Sequence, residues 1–255
     1  GYWFISDYLA IFRQPQRTRL FSGKPLSYIH RSFCRYRKLG HQKDRQKPHT
    51  VVMKLYLASY AMVSMAKIIK HEGRDFAGKK AVFIPTAGDP YDNKDFVEAD
   101  RIALEKYGLD VIEMDIKNKN EEEIRKAIAG ADIVLVAGGD TFYLMAKLKE
   151  SGADKVIKDF IKKNGIYIGS SAGSIVCCPT IEGAEEFDNP NLAKGLNNFD
   201  GMGVFKDVII PHAQKEKYFE RIRRATERLE SKGYKVHHLT DDDVLFFDGY
   251  SYIIL

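Results

Sequence analysis

Ile166-Tyr167-Ile168-Gly169-Ser170-Ser171-Ala172-Gly173-Ser174 runs from an apolar strand pattern straight into a serine walled by glycine and alanine. A strand that gives way to a helix over so few residues must turn sharply, and crowding at such a turn admits only small neighbours. Gly169, Ala172 and Gly173 meet that demand and give the Gly-x-Ser-x-Gly spacing of a nucleophile elbow centred on Ser171. The hydroxyl would then project from the backbone instead of packing. A glycine-rich turn with an idle serine carries the same letters, so the surroundings must decide.

Outward from this turn the pattern is regular. Apolar or alternating runs predict strands at Lys54–Ala58, Ala81–Pro85, Leu109–Met114, Ile133–Ala137, Ile166–Ile168 and Val208–Pro211. Val236–Leu239, Val244–Phe247 and Tyr252–Leu255 follow near the end. Between them lie helical stripes, among them Val156, Ile157, Phe160 and Ile161, and Tyr218, Ile222, Ala225 and Leu229. Strand alternating with helix predicts an α/β fold: a mostly parallel, Rossmann-like sheet with helices on both faces, in a single domain. Such sheets bind ligands beyond the carboxyl ends of their strands. Thr86-Ala87-Gly88-Asp89, Gly138-Gly139-Asp140-Thr141, the Ser171 turn and His212 all fall at those ends, which makes them one candidate site.

The composition is that of a globular chain, with 44% hydrophobic and 29% charged residues. No apolar run reaches the roughly 18 residues of a membrane span, and no secretory leader is read in the opening segment. The net charge of +5 is unevenly placed: residues 1–52 hold 11 Lys and Arg against two Asp, and residues 53–255 hold 29 basic against 33 acidic residues. We therefore read 1–52 as a basic extension, poorly ordered or foreign to the domain, and 53–255 as the functional domain. The body gives no electrostatic reason to expect nucleic acid. Three cysteines, Cys34, Cys177 and Cys178, build no disulfide framework and point to a reducing cytoplasm.

A serine hydroxyl needs a neighbouring base to act as a nucleophile. His212, directly after an apolar strand, is the histidine best placed for it, and the imidazole in turn needs an acceptor. Glu182, Glu185, Glu186 and Asp188 crowd the segment after the serine turn. The Ala172 amide and an amide of Gly138-Gly139 are candidate donors to an oxyanion. The Gly-Gly-Asp loop lacks the spacing of a dinucleotide loop and the lysine of a phosphate loop.

Taken in order, these pieces resemble the dipeptidase E and cyanophycinase family of serine peptidases, which share the class I glutamine amidotransferase-like fold. The matching segments are Met53 to Ser59, Ala137-Gly138-Gly139-Asp140-Thr141-Phe142, Tyr167 to Ser174, Cys178-Pro179-Thr180-Ile181 and Ile210-Pro211-His212. They span nearly all of 53–255 and none of 1–52. The resemblance implies Ser171 as nucleophile, His212 as base and, by spacing from the serine, Glu186 as the acid, with Glu185 adjacent. It also implies the Gly139 and Ala172 amides as the oxyanion hole, and no metal or cofactor. A serine exopeptidase acting on short, Asp-containing peptides is the activity expected, with Asp140, Lys215 and Arg221 as substrate-binding residues. Room is left for a homodimer. Three other readings stay open: an amidotransferase-like enzyme using a cysteine, an esterase of the α/β-hydrolase type, and a binding scaffold without catalysis.

Overall fold

The computed structural model describes residues 53–255, which form one compact unit. The expectation for residues 1–52 lies outside the described residues.

Among the described residues, nine strands and seven helices follow the sequence pattern closely. The strands are β1 (Lys54–Ala58), β2 (Lys80–Ile84), β3 (Asp110–Glu113), β4 (Ile133–Val136), β5 (Ile166–Ser170), β6 (Val208–Ile210), β7 (Val236–His238), β8 (Val244–Phe247) and β9 (Tyr252–Ile254). The helices are α1 (Ala61–Glu72), α2 (Asp95–Lys106), α3 (Glu121–Ile128), α4 (Thr141–Ser151), α5 (Ala153–Lys162), the short α6 (Ala172–Ile175) and α7 (Phe219–Ser231).

Seven strands form one sheet in the order β3-β2-β4-β5-β1-β8-β9. The first five in that order are parallel, while β8 and β9 close the far edge antiparallel. Successive side chains on a strand point to opposite faces, so β1 serves two cores at once. Leu55 and Leu57 pack with Val134, Val136, Tyr167, Phe142 and Leu148 on the face covered by α3 to α7. Tyr56 and Ala58 pack with Phe83, Leu135, Ile168, Met65 and Leu104 on the face covered by α1 and α2. Burial of strands on both faces explains why they read as continuous apolar runs rather than alternating ones.

β6 and β7 stand apart from this sheet as a two-stranded parallel pair, with Val208 opposite Val236 and Ile210 opposite His238. The loops leaving both strands therefore emerge side by side. No helix among the described residues is long and apolar enough to cross a membrane.

Candidate active site

Ser171 sits where β5 hands over to α6 at φ 47° and ψ −106°, a backbone conformation that a non-glycine residue keeps only when its surroundings enforce it. Several contacts do so. The Ser171 amide donates to the carbonyl of Ala58 at 3.0 Å, and the Ser174 hydroxyl donates to the same carbonyl at 2.8 Å. From below, the buried Tyr167 hydroxyl donates to the Gly173 carbonyl at 2.6 Å. A side chain at position 173 would stand 2.1 Å from the Val136 carbonyl, so the turn closes only with glycine there.

The Gly138-Gly139 loop after β4 lies against this turn, since a Cβ at position 138 would stand 3.4 Å from that of Ser171. Gly139 has φ 145°, and a Cβ there would meet the Ala87 carbonyl at 2.0 Å. The loops after β2 and β4 thus approach more closely than any side chain allows. Neither the Gly139 nor the Ala172 amide donates a hydrogen bond among the described residues. That leaves two donors beside the serine.

His212 follows β6 and also holds a positive φ, 62°. Its amide donates to the buried Ser59 hydroxyl at 2.8 Å, which fixes the backbone at the end of β1. The imidazole Nε2 stands 3.1 Å from Ser171 Oγ. On its other side Nδ1 stands 2.5 Å from Oδ1 of Asp241. Asp241 leaves the end of β7 as His212 leaves the end of β6. The two loops are laced by Leu239 N–H to Ile210 O at 3.0 Å and Ala213 N–H to Leu239 O at 2.9 Å. Burial alone would raise the Asp241 carboxyl, but the hydrogen bonds and charges of His212 and Lys215 outweigh it and hold it well below the usual carboxylate range.

The expected acid, Glu186, is elsewhere. It ends a 3₁₀ turn, Glu182–Glu186, that packs on α7, and its carboxylate pairs with Arg224 at 2.8 Å and Arg228 at 3.3 Å. Glu185 also pairs with Arg228, at 3.3 Å. The two arginines stand four residues apart on one helix face and draw in both carboxylates. The carboxylate on His212 is Asp241 in place of Glu186.

The expected substrate-binding residues divide in the same way. Asp140 is buried and caps α4, accepting from the Tyr143 amide at 2.8 Å, and it also accepts from the Asn189 amide at 3.0 Å. Its neighbour Asp188 accepts the Thr141 amide at 3.0 Å. Burial pushes Asp188 up to about 6, and the charge of Asp140 adds to the rise. Lys215 turns its ammonium to Asp241 Oδ2 at 2.9 Å. Arg221 lies exposed on the first turn of α7, its guanidinium 6.0 Å from the centre of the Tyr218 ring.

Cys177 and Cys178 are wholly buried, and burial raises both thiols, Cys178 to about 12. Neither offers a thiolate at the turn, which disfavours the cysteine alternative. Sequence reasoning missed Asp241 and the Ser59 brace. The signal for Asp241 is its position just beyond Val236–Leu239, a run equivalent to the one that precedes His212.

A hydroxyl on a strained strand-to-helix turn, an imidazole on it and a buried carboxylate behind the imidazole define a serine hydrolase of α/β type. The model of peptidase family S51 matches residues 57–255, and the chain belongs to that family of serine-type peptidases. An uncharacterized peptidase of Listeria innocua serovar 6a is 33% identical over 168 residues, covering 66% of this chain and 80% of its own length. Peptidase E of Shigella flexneri is 34% identical over 134 residues, 52% of this chain and 55% of its own, so the match spans about half of that relative. A crystal structure from Listeria monocytogenes EGD-e, provisionally named a peptidase E, superposes with a TM-score of 0.74 at 29% identity, covering 80% of this chain and 98% of its own. A peptidase from an acI-B1 actinobacterium shares the fold, with a TM-score of 0.62 at 17% identity over 80% of this chain and 88% of its own.

Proposed function

We propose that the chain is an exopeptidase that hydrolyses short peptides through a Ser171–His212–Asp241 relay. One observation carries the reading: the imidazole of His212 bridges the Ser171 hydroxyl at 3.1 Å and the Asp241 carboxylate at 2.5 Å. Asp241 holds the Nδ1 proton in place, so Nε2 is left as the acceptor that faces Ser171. As Ser171 Oγ bonds to the scissile carbonyl carbon, its proton passes to Nε2. The carbonyl oxygen becomes an oxyanion received by the Gly139 and Ala172 amides. Each such donor is typically worth about 2.7–4 kcal/mol of transition-state stabilisation. Collapse of the tetrahedral adduct breaks the C–N bond, and the imidazolium gives its proton to the leaving amine. Water, deprotonated by the same Nε2, then attacks the acyl-enzyme and releases the second product.

The reading extends to Asp-containing peptides, on the resemblance to dipeptidase E, with Arg221 as the cation for the substrate carboxylate. Lys215 is no longer assigned that role, and Asp140 serves as a helix cap beside the site. We place the enzyme in the cytoplasm, where the adjacent buried thiols Cys177 and Cys178 stay reduced. The test is to incubate the full chain with a mixed dipeptide library and read the products by mass spectrometry. The wild type is expected to cleave a subset enriched in aspartyl dipeptides, and Ser171→Ala to cleave none while melting within a few degrees of the wild type. Unchanged hydrolysis in Ser171→Ala sinks the mechanism, and a cleaved subset indifferent to Asp sinks the specificity alone.

A further inference from the structure

The mechanism above leaves one charged group beside the relay without a task. Lys215 follows His212 by three residues, and its side chain is only 17% exposed. The ammonium lies 2.9 Å from Asp241 Oδ2 and 3.4 Å from His212 Nδ1, while Asp241 Oδ1 faces His212 Nδ1 at 2.5 Å. Oδ1 of the carboxylate thus faces the imidazole and also accepts from the Ser59 hydroxyl at 3.3 Å, while Oδ2 faces the lysine. Placing a long cationic side chain in such a half-buried position requires compensation, and Asp241 supplies it.

From this geometry we infer that Lys215 is a positioning residue of the relay, which holds the plane of Asp241 on His212, and that it does not bind substrate. A carboxylate anchored at one oxygen only can rotate about its Cβ–Cγ bond. Anchored at both, it presents a fixed acceptor to Nδ1–H.

His212 is faced by Ser171 from the β5 turn, Ser59 from the end of β1, Asp241 from the end of β7 and Lys215 from its own loop. Gln214 accepts the Asp241 amide at 3.1 Å. Asp242 is drawn off to Lys67 at 2.8 Å, and Asp243 accepts from Thr240. Burial lowers the Lys215 ammonium and Lys217 pushes the same way, but the bond to Asp241 favours its charge.

The inference rests on the Ser171–His212–Asp241 reading, and its test separates the two. Steady-state kinetics on the best-cleaved dipeptide and inactivation by a fluorophosphonate probe are compared for the wild type, Lys215→Met and Lys215→Arg. In Lys215→Met we expect kcat and the inactivation rate to fall at least about tenfold with KM within about twofold. Lys215→Arg, which keeps a charged donor to Asp241, is expected to restore both rates. A raised KM with kcat unchanged would assign Lys215 to substrate and overturn the inference, as would no change at all. Should Lys215→Met not fold, Lys215→Gln against Lys215→Arg reads the same contrast. Failure of the underlying relay shows differently, as activity that survives Ser171→Ala.

Discussion

Two acidic loops follow Ser171 in sequence, and only one reaches the imidazole. Glu186 lies 15 residues after Ser171 on a turn that packs against α7, where Arg224 and Arg228 take its carboxylate. Asp241 lies 70 residues after Ser171, yet it faces His212 at 2.5 Å. Both are buried or nearly so, at 16% and 7% side-chain exposure, and both are paired with cations. What separates them is the element beneath. β6 and β7 are parallel neighbours in register, so their loops share one end of the molecule. The 3₁₀ turn has no strand to aim it there.

The largest expected effect tests that contrast in turnover. Asp241→Asn should lower kcat/KM by about 10⁴-fold, because an amide no longer fixes the imidazole tautomer. Glu186→Gln should leave kcat/KM within about threefold. Comparable losses from both would mean that the two loops act as one. Next in size is Gly139→Ala. The added methyl meets the Ala87 carbonyl at 2.0 Å and the residue keeps φ near 145°, so the loop must shift and misplace its amide. A drop in kcat of about 10²–10³-fold is expected, with KM nearly unchanged. A wild-type kcat would remove Gly139 from the oxyanion site.

The Glu186 side of the comparison should answer in stability instead. Arg228 donates to the Glu182 carbonyl at 2.9 Å and pairs with Glu185 and Glu186. Arg228→Met should destabilise by about 1–3 kcal/mol in urea unfolding and leave kcat unaltered. A stability-neutral substitution that lowered kcat would place that turn in the catalytic machinery.

The smallest effect is one of pH. Burial pushes Asp100 up to about 7, although Ser170 and the Met62 and Gly138 amides favour its charge, and burial pushes Asp188 up to about 6. Each is raised above the ordinary carboxylate value, so each contributes stability that is full below about 4 and is lost as pH rises through 6 to 7. The melting temperature should therefore climb as pH falls from 8 toward 5, and Asp100→Asn should flatten the part near 7. Asp241, held low, acts in the opposite sense, but only in stronger acid. A melting temperature that is flat over pH 8 to 5 would contradict this reading of the two carboxyls.

Much of this was legible in the chain. The strand runs were visible because burial on both faces demands apolar side chains at every position, as at Ile133–Val136. The elbow was visible because Gly169, Ala172 and Gly173 satisfy a steric demand that few sequences meet. His212 was visible through the apolar run before it. The acid was not, because spacing from the serine says nothing about where the intervening chain packs. Finding Asp241 requires knowing that Val208–Ile210 pairs with Val236–His238, and each strand has only three residues. The contact of Lys215 with Asp241 was hidden for a related reason: a lysine near a helix start is ordinarily a solvated cation, and only the fold brings Asp241 to it.

Site-resolved labelling by a fluorophosphonate probe tests the central claim most directly, with the modified peptide and its rate of formation read by mass spectrometry. A single adduct on Ser171 is expected, formed far more slowly in Asp241→Asn and at close to the wild-type rate in Glu186→Gln. An adduct on another residue, or a rate that falls with Glu186→Gln and not with Asp241→Asn, would contradict it.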